Sequence, residues 1–187
     1  MPRLRIVILA SGSGSLAQAV FDSKLDIEIL KVISDKQSLV LERAVSAGIA
    51  NQYLPIGANR NIWEQELINE VEKLNPDLVV SLGFMRILPK AFIDKFRTIN
   101  THPALLPNFP GAHAVRDALL AKVEETGTSI HWVDEGVDTG PVIGQVAVPI
   151  NAGDTEESLQ ERIKIVERRL IVETLQSFID NGIPEFK

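Results

Sequence analysis

Leu4-Arg5-Ile6-Val7-Ile8-Leu9-Ala10-Ser11-Gly12-Ser13-Gly14-Ser15-Leu16-Ala17 runs from an apolar stretch through a Gly-Ser loop into an amphipathic stretch that continues to Lys24. A short apolar run bounded by turn residues reads as a buried strand, and the periodic stretch after it as a helix. Strand, glycine-rich turn and helix in that order form the opening unit of a doubly wound α/β sheet. Gly12-Ser13-Gly14-Ser15-Leu16-Ala17 has the spacing of a G-x-G-x-x-G/A loop. Its glycines let the backbone approach a phosphate, while the free N–H groups and dipole of the helix N-terminus stabilise the anion. Asp35, about 20 residues later, stands where dinucleotide folds hold a ribose hydroxyl. By itself the loop suits a dinucleotide, a sugar phosphate or a tight turn with no ligand.

The same alternation continues outward: Ile27–Ile33 then Leu39–Ala47, Gln52–Leu54 then Ile62–Leu74, Leu78–Leu82 then Pro89–Phe96. It predicts an α/β fold, a mostly parallel twisted sheet with helices on both faces. Gly48 after one helix and Asn75-Pro76 after another agree. Beyond Thr98–Asn100, a short strand, the pattern changes. Pro103 to Gly111 is a nine-residue loop with three prolines, and a long loop in a compact domain is usually functional. A helix over 114–121 and strands over 128–133 and 142–148 follow. The last helix spans about 155–179, with Asp154 and Glu157 spaced as a capping box and Asn181-Gly182 as its stop.

With 187 residues and 45% apolar content the chain fits a single domain with a continuous core. A net charge of −6 argues against duplex nucleic acid or an anionic membrane as the main partner. The absence of cysteine removes disulfides, thiolate catalysis and cysteine-ligated zinc, and fits a reducing cytoplasm. The N-terminal apolar run is too short for a signal-peptide core, and no run approaches the roughly 20 residues of a spanning helix.

Asn100-Thr101-His102-Pro103 and, 38 residues after Asn100, Asp138 in Asp134-Glu135-Gly136-Val137-Asp138-Thr139-Gly140-Pro141 bring an amide, an imidazole and a carboxylate into one turn-rich region. Side chains at i and i+2 of an extended segment share a face, so Asn100 offers a donor for an oxyanion beside the base His102. Taken alone, Asp138 reads equally well as a turn-stabilising residue, and His113 and His131 read as structural. The three histidines lack zinc-ligand spacing. Ser81-Leu82-Gly83-Phe84-Met85-Arg86-Ile87-Leu88 leaves a strand at its C-terminal end, where open α/β sheets bind ligands, though Phe84, Ile87 and Leu88 also suit an apolar plug. Lys164 and Glu167, three apart on the last helix beside Arg168 and Arg169, read first as a solvated face.

Together these motifs resemble the folate-dependent formyltransferases. The resemblance rests on Ser11 to Ser15, Gly83 to Leu88, Asn100 to Pro107, Phe109-Pro110-Gly111, Gly127-Thr128-Ser129-Ile130-His131 and Asp138-Thr139-Gly140-Pro141, in order along nearly the whole chain. It implies the formyltransferase fold over 1–187, with a Rossmann-like phosphate-binding half over 1–100 and a folate and catalytic half over 101–187. The implied reaction moves the formyl group of 10-formyltetrahydrofolate, a co-substrate, onto the amine of glycinamide ribonucleotide in purine biosynthesis, by direct attack and without a metal. The chain's end soon after the last helix favours that member over methionyl-tRNA formyltransferases and formyltetrahydrofolate deformylases, which resemble this domain joined to another. A sister enzyme or, more remotely, a nucleotide-binding regulatory module are the rival readings.

Residue by residue, the resemblance implies Asn100, His102 and Asp138 as the catalytic set, with Asp138 favouring the His102 imidazolium. It places the phosphate and ribose at Gly14, Ser15, the Leu16 backbone, Lys164 and Glu167. The folate falls to Arg60, Met85, Arg86, Ile87, Leu88, Val133, Asp134 and Asp138, with His131, Ser129 and His113 in support. Leu16 departs from the Asn of many relatives, and a cis Leu106–Pro107 bond is expected. The partners implied are small molecules, with neither nucleic acid nor membrane; the location implied is cytoplasmic, and a homodimer is left open.

Overall fold

The computed structural model describes residues 3–186. Its elements are β1 (Leu4–Leu9), α1 (Ser15–Phe21), β2 (Ile27–Ser34), α2 (Leu39–Ser46), β3 (Asn51–Tyr53), α3 (Arg60–Leu74), β4 (Leu78–Ser81), α4 (Lys90–Ile93), β5 (Thr98–His102), α5 (Ala114–Leu120), β6 (Glu125–Trp132), β7 (Val142–Pro149) and α6 (Glu156–Asn181). One seven-stranded sheet in the order β3-β2-β1-β4-β5-β6-β7 holds them. β3 through β5 pair parallel, whereas β6 and β7 run antiparallel. Strands that follow β1 in sequence lie on one side of it and β4 on the other. The carboxyl ends of β1 and β4 therefore meet at a topological switch point, where such sheets open a crevice.

Alternation along the central strands sorts the core into two layers. Ile6, Ile8 and Ala10 pack with Leu16, Val20, Val40, Leu170, Ile171 and Phe178 under α1, α2 and α6. Val7, Leu9 and Val79 pack with Trp63, Leu67, Val71 and Phe92 under α3 and α4 on the other face. Both faces are thus buried, as the near-continuous apolar character of these strands requires. Among the described residues no helix is long and apolar enough to cross a membrane.

Several boundaries differ from the sequence expectation. β5 extends through His102, because β6 continues to pair with it beyond Asn100. β6 starts at Glu125, three residues earlier than the apolar pattern shows, pairing Glu125, Thr126 and Gly127 with β7. The capping box of α6 is Thr155 with Ser158 rather than Asp154 with Glu157. Asp154 is committed elsewhere: it accepts from the Asn151 N–H and holds Arg162. The Leu106–Pro107 bond is cis.

Candidate active site

Strand register assembles the centre of the site. In β5, Asn100 lies opposite Ser81 of β4 and His131 of β6, and His102 opposite Ser129. The Ser81 hydroxyl donates to Asn100 Oδ1 at 2.7 Å. The Asp138 carboxylate can only accept, so Asn100 turns Nδ2 to it, 3.4 Å from Asp138 Oδ1 and 3.2 Å from His131 Nε2. His131 Nδ1 lies 2.8 Å from the Trp132 carbonyl. That carbonyl can only accept, which fixes the hydrogen on Nδ1 and leaves Nε2 to face Asn100.

Asp138 reaches this centre from the turn between β6 and β7, in a left-handed backbone conformation with φ 55°. Asp134 shapes the turn by accepting from the Gly136 N–H and the Thr139 hydroxyl, at 3.1 and 2.7 Å. Gly140 lets it close, since a Cβ there would lie 1.9 Å from the Trp132 carbonyl oxygen. Asp138 Oδ2 accepts from the Gly111 N–H at 2.8 Å and lies 3.2 Å from His102 Nδ1. Burial pushes the Asp138 carboxyl pKa up, but the nearby His131 ring, the hydrogen bond from the Gly111 N–H and the His102 ring outweigh it. The net direction is down, which keeps Asp138 a carboxylate.

His102 is buried, and its Nε2 lies 2.7 Å from the Phe109 carbonyl. Burial drives its pKa below the ordinary imidazole value; Asp138 and the Phe109 carbonyl pull it upward and recover only part of that. Asp138 thus favours the imidazolium, as expected, and desolvation of the ring opposes it more strongly. A neutral ring has one N–H for two facing acceptors. The acceptors stand 2.7 Å from Nε2 and 3.2 Å from Nδ1, so both contacts are hydrogen bonds only when the ring is the imidazolium.

Met85, Arg86, Ile87, Leu88, Val133 and Asp134 line a cleft of about 420 Å³ that ends on Asn100, His102, His131 and Asp138. Both the volume and the mainly apolar lining suit a small-molecule site. Arg60 lies outside the lining but donates to the Ile87 carbonyl at 2.8 Å. Ser129 supports the loop from Pro103 to Gly111, bonding the Ala104 carbonyl and the Leu106 N–H. His113 is exposed at the start of α5 and takes no part in the cleft. A second, open groove of about 900 Å³, lined by Arg3, Asp77, Arg97 and Asp180, lies at the opposite ends of the strands and holds none of the candidate residues.

On the phosphate side, Gly14 precedes α1 with φ 71°, and a Cβ on it would sit 2.5 Å from Val40 Cγ2. Leu16 turns its side chain into the core. Lys164 is held by Glu161 at 2.6 Å. Glu167 is buried, and burial pushes its carboxyl up to about 7 against the Thr128 hydroxyl and the charges of Lys164 and Arg168. Asp35 departs from expectation. Its oxygens bind the Ser11 hydroxyl at 2.5 Å and Arg86 Nε at 2.6 Å, and its side chain is fully buried, so no ribose reaches it and the dinucleotide reading loses its acceptor.

Ser81, Gln160, the Phe109 carbonyl and the Gly111 N–H belong to the site without having been singled out. Gln160 had a signal, standing four and seven residues before Lys164 and Glu167 on one helical face. Two backbone groups carry none. Among the described residues, no three His, Asp or Glu side chains are grouped so as to hold a metal ion.

An amide donor, an imidazole and a carboxylate at the end of an apolar cleft are the equipment of a group transferase working on small molecules. Residues 4–175 match the formyl transferase family, and the chain belongs to it. It is 42% identical over 186 residues to the phosphoribosylglycinamide formyltransferase of Mycobacterium tuberculosis, covering 96% of this chain and 86% of that one. The Escherichia coli protein of the same name is 41% identical over 189 residues, covering 96% and 89%. The crystal structure of glycinamide ribonucleotide transformylase 1 from Symbiobacterium toebii superposes with a TM-score of 0.93 at 36% identity, covering 98% of this chain and 91% of that one.

Proposed function

We propose that this protein transfers the formyl group of 10-formyltetrahydrofolate to the amine of glycinamide ribonucleotide, a step of purine biosynthesis carried out in the cytoplasm. The observation that carries the mechanism is the oriented Asn100 amide: Ser81 pins its oxygen, and its N–H₂ faces the space between His131 and Asp138. The apolar lining from Met85, Ile87, Leu88, Val133 and Val137 fits a flat bicyclic head group, and this is what supports a folate there. Gly14, Ser15 and the Leu16 N–H are assigned to the ribonucleotide's phosphate, with Lys164 and Glu167 serving phosphate and ribose.

In the reaction the amine attacks the formyl carbon directly and the carbonyl oxygen gathers negative charge. Asn100 Nδ2 donates to that oxygen; one such donor is worth about 2.7–4 kcal/mol of barrier. Neutral His102 keeps its Nδ1–H on Asp138, and Nε2, once the Phe109 carbonyl moves off, accepts the proton the amine sheds. Asp138 stays ionised and stabilises the imidazolium as it forms, through a charge-assisted hydrogen bond between two buried side chains. Collapse of the tetrahedral intermediate breaks the bond between the formyl carbon and N10 of the folate, and the imidazolium proton passes to N10, so that tetrahydrofolate leaves. The test is release of tetrahydrofolate from 10-formyltetrahydrofolate in the presence and absence of glycinamide ribonucleotide. Release that ignores the added amine sinks the assignment.

A further inference from the structure

The buried Asp35 carboxylate has no task in the mechanism above. Its side chain is 0% exposed, and it follows β2 at the carboxyl ends of three adjacent strands, β2, β1 and β4. Oδ1 accepts the Ser11 hydroxyl at 2.5 Å, and Oδ2 accepts Arg86 Nε at 2.6 Å. Ser11, its hydrogen spent on Asp35, accepts the Met85 N–H at 2.8 Å, and its own N–H donates to the Gly83 carbonyl at 3.1 Å. One carboxylate therefore ties the start of the Gly-rich loop to the 83–88 segment of the cleft. A buried ion pair is weak support for stability, because desolvating both charges offsets their attraction. What it enforces is geometry, since removing either partner leaves a polar group without its match.

We propose that Asp35 is a positioning residue for the transfer reaction, clamping the phosphate-facing loop through Ser11 and the folate-facing segment through Met85 and Arg86, so that the two reactants meet in fixed register. The clamp rests on the proposed function for its two ligands. The geometry of two independently bound reactants decides how often the amine reaches the formyl carbon, and a displacement of about 1 Å costs on the order of a hundredfold in rate. Asp35→Asn keeps the size and the bond to Ser11 but gives Arg86 no anion. Asp35→Ala removes both.

The experiment measures kcat and both KM values for the wild type, Asp35→Asn and Asp35→Ala, together with amide hydrogen exchange of each without substrate. With wild-type turnover established, Asp35→Asn is expected to raise both KM values and lower kcat by on the order of 10–100-fold, with Asp35→Ala worse. Exchange is expected to quicken over 11–15 and 83–88 together. A well-folded Asp35→Asn with both KM values and kcat within twofold of wild type, or with only one KM moved, overturns the clamp. Absence of wild-type turnover defeats the proposed function instead, and hydrogen exchange alone then decides whether Asp35 holds the two segments.

Discussion

Glu167→Gln is the perturbation with the clearest signature, because it replaces a buried acid by a neutral side chain of the same shape. Burial raises the Glu167 carboxyl from 4.5 to about 7, so between those values the folded protein holds a proton that the unfolded chain has released. Stability therefore falls as pH rises through that window, by about 3 kcal/mol at 1.36 kcal/mol per unit, and stays low above it. Gln does not titrate. Denaturant unfolding of both proteins from pH 4.5 to 8 should give nearly equal free energies at the acid end. Toward pH 8 the variant should become the more stable by up to about 3 kcal/mol. A difference between the two that is flat across the window means Glu167 is not held protonated by the fold. If that side chain also meets the ribose, the variant's KM for the ribonucleotide should rise while its folate KM stays put.

Asn100→Ala should lower kcat by about 10²–10³-fold with the fold intact, checked by turnover at saturating substrates alongside circular dichroism; a loss under fivefold removes Asn100 from the oxyanion. Gly14→Ala should cost about 1–2 kcal/mol from its positive φ, and more from the collision with Val40; thermal melting and the ribonucleotide KM report the two effects. The depressed His102 pKa places the acid limb of kcat/KM below the ordinary imidazole value. Asp138→Asn, by removing the upward pull on that ring, should move the limb further to acid while lowering kcat by about 10²–10⁴-fold. A limb that stays in place separates the pH dependence from His102.

What was legible beforehand was whatever depends on neighbours in sequence. The run Ile6 to Leu9 is apolar on both faces because β1 lies mid-sheet, and the turn residues at Ser11 to Gly14 mark its end. Asn100 and His102 share a strand face for the same local reason. Asp35 was misread because its partner Arg86 lies 51 residues away, and nothing near Asp35 says whether a ribose or a guanidinium meets it. The charge balance at His102 escaped for a related reason. Asp138 is visible in the sequence, whereas burial of the ring is a property of the packed loop from Pro103 to Gly111. Ser81 enters the site only because β4 lies beside β5 in the sheet.

β5 is the seam at which the sheet changes from parallel to antiparallel pairing, and Asn100 takes one neighbour from each kind of ladder. A one-residue slip of β6 would carry Ile130 or Trp132 to the place of His131 and turn every side chain of that strand to the opposite face. Single insertions or deletions within 126–131 should therefore abolish turnover, whereas insertions in the connection at 121–124, outside both helix and strand, leave the pairing to re-form.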